Sequence, residues 1–210
     1  MKKSLWLMNF IVILVVIALL GGGAYYYYQS SSYIKTDNAH VTGDIQTLTA
    51  SAAGKITSWN ANEGDQVSAN KELGELNNGK QTSEITATEP GTIIKQSVHK
   101  NQLVQPGAVL AQTVDMKKLY IVANIDEKKV KDVKVGSSVD VVVDGDSGTV
   151  IDGEVKAIGH AANSIFSLMP QQSASGNYTK VTQYIPVKIS IENYSEKVMP
   201  GMNAEVKISR

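Results

Sequence analysis

Apolar residues follow two patterns along the chain, one confined to the first thirty residues and the other filling the rest. Residues 5–24 carry no charge, and the run from Leu5 to Leu20 is interrupted only by Asn9. Twenty residues of helix extend about 30 Å, the thickness of a bilayer core. Trp6 lies at the start of this stretch and four tyrosines follow it at 25–28, as in the aromatic belts of membrane interfaces. The pattern predicts a transmembrane anchor with an aromatic interface over residues 5–28.

Charge around this segment predicts its orientation. Lys2 and Lys3 lie on its amino-terminal side, so the positive-inside rule places residues 1–4 in the cytoplasm and the following chain outside. A cleaved signal peptide is the alternative, because Gly22 and Ala24 are small enough for a cleavage site. Both interpretations export the remainder of the chain.

Beyond Tyr33 the apolar residues alternate with polar ones in short runs. Val139, Val141 and Val143 show this period of two, and so do alternate positions of 185–191. Such runs, separated by Gly, Asn and Asp, are typical of strands with one buried and one wet face. A short helical turn over 126–134 is the one helix candidate. The pattern predicts a mainly β protein behind a polar linker at 29–32.

Two segments of this β region repeat each other. Residues 49–76 and 86–113 align without a gap at an offset of 37 residues. The identical pairs fall on turn and core positions: Thr49 and Thr86, Ala50 and Ala87, Gly54 and Gly91, Ile56 and Ile93, Val67 and Val104, Leu73 and Leu110. Neither half can bury its apolar face alone, so the halves are expected to pack on each other with quasi-two-fold symmetry. The glycines suit tight turns that need a positive φ.

The two halves, TASAAGKITSWNANEGDQVSANKELGEL and TATEPGTIIKQSVHKNQLVQPGAVLAQ, resemble those of a biotinyl/lipoyl-type β-sandwich. This unit occurs in biotin and lipoyl carriers and in the membrane fusion proteins, or periplasmic adaptors, of bacterial exporters. In carriers the modified lysine lies at the hairpin between the halves, where this chain has Lys80. The flanking residues differ from the carrier pattern, and a ligase would act on the cytoplasmic side.

The following sequence resembles the adaptors. LYIVANIDEKKVKDVKVGSSVDVVVDG at 119–145 and GTVIDGEVKAIG at 148–159 are similar to the start of the adaptor β-barrel. LMPQQSASGNYTKVTQYIPVKISI at 168–191 resembles the HlyD/EmrA branch, and VMPGMNAEVKI at 198–208 its closing strand.

This resemblance implies a domain order after the anchor. A linker and first strand at 29–44 precede a lipoyl-like sandwich at 45–114 and a β-barrel at 115–210, with structural turns at Gly54, Gly91, Gly136 and Gly201.

One segment departs from the family pattern. Typical adaptors insert a long coiled-coil hairpin between the lipoyl halves, whereas nine residues, 77–85, join them here, and the chain contains no heptad segment. Either the protein serves a cell without an outer membrane, which this departure favours, or it contacts its exit partner differently.

Composition narrows the remaining chemistry. The formal net charge is +0, and no basic stripe points to nucleic acid. The absence of Cys excludes disulfides, thiolate metal sites and a cysteine nucleophile. Only three histidines occur, without ligand spacing, so the sequence predicts no catalytic or metal site and no cofactor.

These observations and the resemblance together predict a non-enzymatic, membrane-anchored adaptor of a multidrug export system. The implied partners are an inner-membrane transporter of the major facilitator type, the lipid bilayer and further copies of the chain. An irregular segment with Phe166, Leu168 and Met169 is the candidate contact loop. The alternatives are a membrane-tethered carrier modified at Lys80 and a cell-wall-associated binding module.

Overall fold

The computed structural model describes residues 13–23, 32–166 and 182–210. This part of the chain is mainly β, as the alternating pattern predicts. Residues 13–23 form helix α1, Glu127–Val130 form the short helix α2, and 3₁₀ turns cover Asp144–Asp146 and Asn163–Phe166. The strands are β1 Tyr33–Thr42, β2 Ile45–Thr49, β3 Gly54–Trp59, β4 Gln66–Val67, β5 Glu72–Asn77, β6 Thr82–Thr86, β7 Gly91–Gln96, β8 Leu103–Val104, β9 Val109–Val114, β10 Tyr120–Asp126, β11 Ser138–Val143, β12 Ile151–Ile158, β13 Tyr184–Ile191 and β14 Asn203–Ser209.

The predicted membrane segment overlaps the described residues only at α1. Within those residues, no helix combines the length and the apolar character needed to cross a membrane. The rest of the predicted segment, residues 5–12 and 24–28, lies outside the described residues.

The chain divides into two compact units, which we call the sandwich and the barrel. The sandwich comprises Val41–Tyr120 with Val198–Met202. The barrel comprises the described residues up to His40, those between Ile121 and Lys197, and Asn203–Arg210.

In the sandwich, two four-stranded antiparallel sheets have the orders β2-β9-β7-β4 and β6-β5-β3-β8. An offset of 37 residues converts β2, β3, β4 and β5 into β6, β7, β8 and β9, with identical bounds at both ends of each strand. The same offset converts one sheet order into the other. The sequence repeat is therefore a structural repeat, and each sheet contains strands from both halves.

The turns repeat as well as the strands. Gly64 and Asn101, 37 residues apart, both have positive φ, at 92° and 73°. Their backbone N–H groups donate to the carbonyl oxygens of Ile93 and Ile56 at 2.8 and 2.7 Å. Asn70 and Gly107 form a second such pair, with φ of 62° and 82° and donation to Ala87 and Ala50 at 2.8 Å each. Because Asn tolerates left-handed backbone better than most residues, Asn and Gly exchange at these positions.

The core of the sandwich obeys the same symmetry. Ile56 and Ile93 are 0% and 1% exposed, and Val67 and Val104 are 4% and 5% exposed. These equivalent residues lie in two separate apolar clusters, and Trp59 packs against both. The indole N–H of Trp59 donates to the carbonyl oxygen of Ala61 at 2.7 Å, which satisfies its polar group inside the apolar surroundings.

Two of the predicted turn glycines serve a different purpose. Gly54 and Gly91 are the first residues of β3 and β7, and neither has a positive φ. A Cβ at Gly54 would lie 2.5 Å from the carbonyl oxygen of Asn77, and one at Gly91 would lie 2.9 Å from that of Val114. Close approach of a neighbouring strand therefore requires glycine here. Gly136 and Gly201 do have positive φ, at 90° and 92°.

The barrel is closed by six strands in the order β1-β10-β13-β12-β11-β14. Strand β14 pairs antiparallel with β1 and with β11, so that Ile34, Ile208 and Val139 lie in one cross-strand row. The inward side chains of the strands are buried aliphatics: Ile121, Ala123 and Ile125 on β10, Val139, Val141 and Val143 on β11, Val187, Ile189 and Ile191 on β13, and Ala204, Val206 and Ile208 on β14. The period of two in the sequence thus marks the barrel interior.

The barrel has two distinguishable ends. We call the end at which β1 begins the β1-start end, and it includes the loop 126–137, which runs from the last residue of β10 to β11. The loop contains α2, which is shorter than the predicted turn over 126–134. Asp126 caps α2, its Oδ1 accepting from the backbone N–H of Lys128 at 2.8 Å. The opposite end carries the β11–β12 connection at 144–150 and the segment 192–197 that follows β13.

Candidate partner-contact regions

The hairpin between β5 and β6 contains Lys80, the candidate modified lysine. Asn78 Oδ1 accepts from the backbone N–H groups of Lys80 and Gln81 at 2.9 and 2.8 Å. The backbone N–H of Gly79, which has φ of 87°, donates to Asn77 Oδ1 at 2.7 Å. The connection is therefore a closed four-residue turn, with the Lys80 side chain exposed at its tip.

A second turn occupies the equivalent place after β9. Asp115 corresponds to Asn78 and Lys117 to Lys80 at the offset of 37 residues. Asp115 Oδ1 accepts from the backbone N–H of Lys117 at 2.9 Å, and its Oδ2 lies 3.3 Å from Lys118 Nζ. The hydrogen bond from Lys117 and, after it, the nearby Lys118 hold the pKa of Asp115 below its ordinary value. A lysine thus follows an Asx-type turn at both positions, and Lys80 occupies no environment unique to it.

The β12–β13 connection is the other candidate region, and both of its ends are fixed to the barrel. Asn163 Nδ2 donates to Asn124 Oδ1 at 2.7 Å, and Asn124 Nδ2 donates to Asn38 Oδ1 at 2.9 Å. We call these three side chains the amide ladder. At the other end, the hydroxyl of Ser164 donates to Gln183 Oε1, and the backbone oxygen of Gln183 accepts from Glu127 N–H at 3.0 Å.

Of the predicted contact residues, Phe166 ends the 3₁₀ turn Asn163–Phe166. Leu168 and Met169 lie outside the described residues. The structure adds Ile165 to the candidates, since its side chain is 71% exposed. Sequence reasoning missed Ile165 because an isolated isoleucine beside a loop is as consistent with burial as with exposure.

The amide ladder borders a β-bulge in β1. The pairing of β1 with β14 changes register between Thr36 and Ala39, so that Asp37 and Asn38 together oppose the single residue Glu205. Asn38 is thereby directed to Asn124 on β10. Beside it is an open notch of about 190 Å³, lined by charged and amide residues that include Lys35, Asp37 and Lys129. The bulge therefore provides the position at which the amide ladder joins an otherwise regular strand.

The histidines lie apart: His40 on β1, His99 after β7 and His160 after β12. Within residues 13–23, 32–166 and 182–210, no group of three or more His, Cys, Asp or Glu side chains could hold a metal ion.

Two domain families match the chain in the order seen in the structure. The family described as YhbJ, barrel-sandwich hybrid domain, matches residues 44–115, and the AAEA-like beta-barrel domain family matches residues 118–209.

Individual relatives agree with these families. The chain is 53% identical over 179 residues to the putative efflux system component YhbJ of Bacillus subtilis, covering 85% of this chain and 80% of that protein. It is 33% identical over 112 residues to the probable multidrug resistance protein EmrK of Escherichia coli, covering 52% of this chain but 29% of the relative.

A solved structure of the periplasmic adaptor protein EmrA superposes with a TM-score of 0.58 at 13% identity, covering 85% of this chain and 99% of that one. This likeness shows a common fold. The match to the Bacillus relative over most of both chains establishes that the chain belongs to the membrane fusion, or efflux adaptor, protein family, whose members are non-enzymatic components of export systems.

Proposed function

We propose that this protein is the membrane-anchored adaptor of a multidrug export pump. Residues 5–24 span the membrane, residues 1–4 lie in the cytoplasm, and the sandwich and barrel lie outside. The uncharged run, the lysines before it and the aromatic residues at its ends support this topology. The observation that carries the function is the 53% identity with an efflux component over most of both chains.

The partner we propose is an inner-membrane transporter of the major facilitator type, with several adaptor copies assembled beside it. The resemblance to the EmrA branch supports this choice. The transporter supplies the energy, and the β-units shape the exit path. The β12–β13 connection, with Ile165, Phe166, Leu168 and Met169, is the proposed contact with the transporter, because its ends are fixed while Ile165 offers an exposed apolar side chain.

The short hairpin at 78–81 supports an exit path that ends close to the membrane. In longer adaptors the coiled-coil hairpin that reaches an outer-membrane channel is inserted at this position. In this chain the hairpin turn closes within four residues, because Asn78 Oδ1 accepts from the backbone N–H groups of Lys80 and Gln81. We therefore propose that the protein works in a cell without an outer membrane, and the Bacillus relative agrees with this.

Dye efflux in a deletion strain tests the proposal. Loss of the gene is expected to raise retention of a pump substrate, and wild-type protein should restore export. A variant with Ile165→Asp and Phe166→Ala should restore it poorly at normal protein levels. Val150→Asp is the control, because Val150 is also exposed and lies at the opposite end of the barrel. If both variants restore export equally, the loop does not contact the transporter.

Lys80→Ala and Lys117→Ala separate the adaptor from the carrier. Both lysines follow equivalent turns, so both variants should export normally and the wild-type intact mass should equal that of the unmodified chain. A covalent adduct lost only with Lys80→Ala would support the carrier instead. Binding to isolated cell wall without any effect on export would support the wall module.

A further inference from the structure

The two ends of the barrel differ in charge and in exposed apolar surface. At the β1-start end, loop 126–137 contains four lysines, and with Arg210 they outnumber Asp126, Glu127 and Asp132 by two. At the opposite end, segments 144–150 and 192–197 contain Asp144, Asp146, Glu192 and Glu196 against Lys197. The barrel is therefore positive at one end and negative at the other.

The positive charges are available for a partner. Lys128, Lys129, Lys131 and Lys134 are all exposed, and none of them lies within ion-pair distance of a carboxylate in the described part of the chain. Two of the three carboxylates are already engaged. Asp126 caps α2, and Asp132 lies 3.9 Å from Arg210.

Exposed apolar and aromatic side chains share this end. Val135 precedes β11 and is 63% exposed, and Ile165 follows β12 and is 71% exposed. Tyr33 and Tyr184, the first residues of β1 and β13, are 37% and 39% exposed. Lysines beside tyrosines and single aliphatic side chains are the composition that membrane–water interfaces attract.

This end is also where the chain arrives from the proposed anchor. Ser32 precedes β1, and its carbonyl oxygen accepts from the backbone N–H of Arg210 at 3.1 Å. Arg210 in turn joins the loop through Asp132. Eight residues, 24–31, separate Ser32 from α1 and can span at most about 29 Å. Electrostatic attraction to a membrane acts within about 10 Å, and a tether of this length allows the lysines to come within that range of anionic lipid.

We propose that the β1-start end of the barrel docks on the anionic phospholipid headgroups of the membrane that holds the anchor. Lys128, Lys129, Lys131 and Lys134 bind the headgroup phosphates, and Val135 enters the interface. The inference rests on the proposed topology and adds a second, reversible lipid contact to the anchor. Its consequence is a fixed orientation, with the positive end of the barrel toward the membrane and the negative end away from it.

The absence of cysteine makes a direct test available. Val135→Cys and Val150→Cys each introduce a single thiol, and the two valines are equally exposed, at 63%, on opposite ends of the barrel. The labelled full-length protein is reconstituted into phosphatidylcholine vesicles with or without roughly 30% phosphatidylglycerol. Energy transfer to a headgroup acceptor then reports the distance of each label from the membrane.

The label at 135 should show strong transfer in anionic vesicles, weaker transfer in neutral ones and a decrease in high salt, while the label at 150 stays weak throughout. Replacing the four loop lysines by Gln should abolish the lipid dependence, since each lysine contributes up to about a fivefold change in binding. The control replaces four exposed sandwich lysines, Lys55, Lys80, Lys95 and Lys100, by Gln and should leave it unchanged. Equal transfer from both labels, or equal loss with both quadruple variants, would overturn the proposal.

Vesicle flotation after alkaline extraction separates this inference from its premise. Protein that no longer floats lacks the anchor, which defeats the proposed topology. Protein that floats but shows no lipid dependence at 135 defeats the docking alone. Transfer at 135 that requires co-reconstituted transporter would show that a protein, rather than lipid, covers this end.

Discussion

The sandwich and the barrel are both built from alternating strands, but they use them differently. In the sandwich, every strand recurs 37 residues later, and so do the turns with positive φ at 64 and 101 and at 70 and 107. The barrel joins its six strands through connections of unequal length and shape, and it has a bulge in β1 and a helix after β10. Symmetry in the sandwich leaves paired, interchangeable turns, whereas the barrel presents two ends that differ in charge. A partner contact that must distinguish one end of a unit from the other is therefore better made by the barrel than by the sandwich.

The largest expected effect tests the symmetry of the sandwich core. Ile56→Ala and Ile93→Ala should each lower the free energy of unfolding by about 2–5 kcal/mol, because both side chains are fully buried. In a Trp6→Phe background, Trp59 fluorescence reports the unfolding of the sandwich alone, since Trp59 packs on both clusters. Leu103→Ala is the control and should be nearly neutral, because Leu103 is 77% exposed. A difference above about 2 kcal/mol between the two isoleucine variants would contradict energetic equivalence.

The next largest effect is expected at the repeated glycines, where the backbone of a neighbouring strand passes close by. Gly54→Ala and Gly91→Ala should lower stability by about 1–3 kcal/mol, since each Cβ would press on a carbonyl oxygen of the adjacent strand. Gly54→Ala should be the worse of the two, because its contact is 2.5 Å against 2.9 Å. Gly148, which has open space and no positive φ, supplies the control in the barrel. Denaturant titration of all three variants measures the order, and a neutral Gly54→Ala would show that β5 can move away.

The amide ladder tests the asymmetry of the barrel at a smaller scale. Asn124→Ala removes two side-chain hydrogen bonds and should weaken attachment of the β12–β13 connection by about 1 kcal/mol. Amides of residues 159–166 should then exchange with deuterium roughly fivefold faster, while those of the sandwich remain unchanged. Asn163→Ala breaks one of the two bonds and should give a smaller increase. Unchanged exchange in both variants would mean that the loop is held without the ladder, by the Ser164 hydroxyl on Gln183 and by the Gly159 N–H, which donates to the carbonyl oxygen of Pro186 at 2.7 Å.

The smallest effect concerns the pH dependence of stability at the turn containing Asp115, whose counterpart in the other half is the uncharged Asn78. The pKa of Asp115 is lowered in the folded protein, so its contribution to stability is present above the ordinary value of 3.8 and is lost as the pH falls through the folded pKa. Asp115→Asn keeps an acceptor for the Lys117 N–H but removes the charge. Its melting temperature should therefore decline less steeply than that of the wild type between about pH 5 and about pH 3. If the melting temperatures of wild type and variant decline in parallel with pH, the pKa of Asp115 is not lowered in the folded protein.

Much of the sandwich could be predicted from the sequence because its constraints are local and duplicated. Identical apolar and glycine positions at one offset identify equivalent strands, and the structure repeats those strands with the same bounds. The reason for two of the glycines was not accessible. Gly54 and Gly91 stand where turns are expected, and only pairing with the distant Asn77 and Val114 shows that backbone proximity requires them.

The contact regions depend more on tertiary structure. The sequence predicts an irregular segment around Phe166, Leu168 and Met169, but it does not predict that Asn163 is attached to Asn124 on β10 and, through it, to Asn38 on β1. Likewise, the sequence alone indicates only that the lysines of 128–134 belong to an ordinary solvated turn in a chain without net charge. Their significance emerges when the pairing of β1, β14 and β11 places them beside Ser32 and Arg210.

The sequence by itself determined the period-two strands, the repeat and the absence of thiol chemistry, because alternation, spacing and composition are properties of neighbouring or countable residues. It also determined the family, since the matching segments occur in order along the chain. Only the tertiary structure decided which strand edges meet, which asparagine reaches which, and how charge divides between the two ends of the barrel. These features depend on strand register and closure, which bring together residues as distant as Asn38 and Asn163, and no local pattern specifies such pairings.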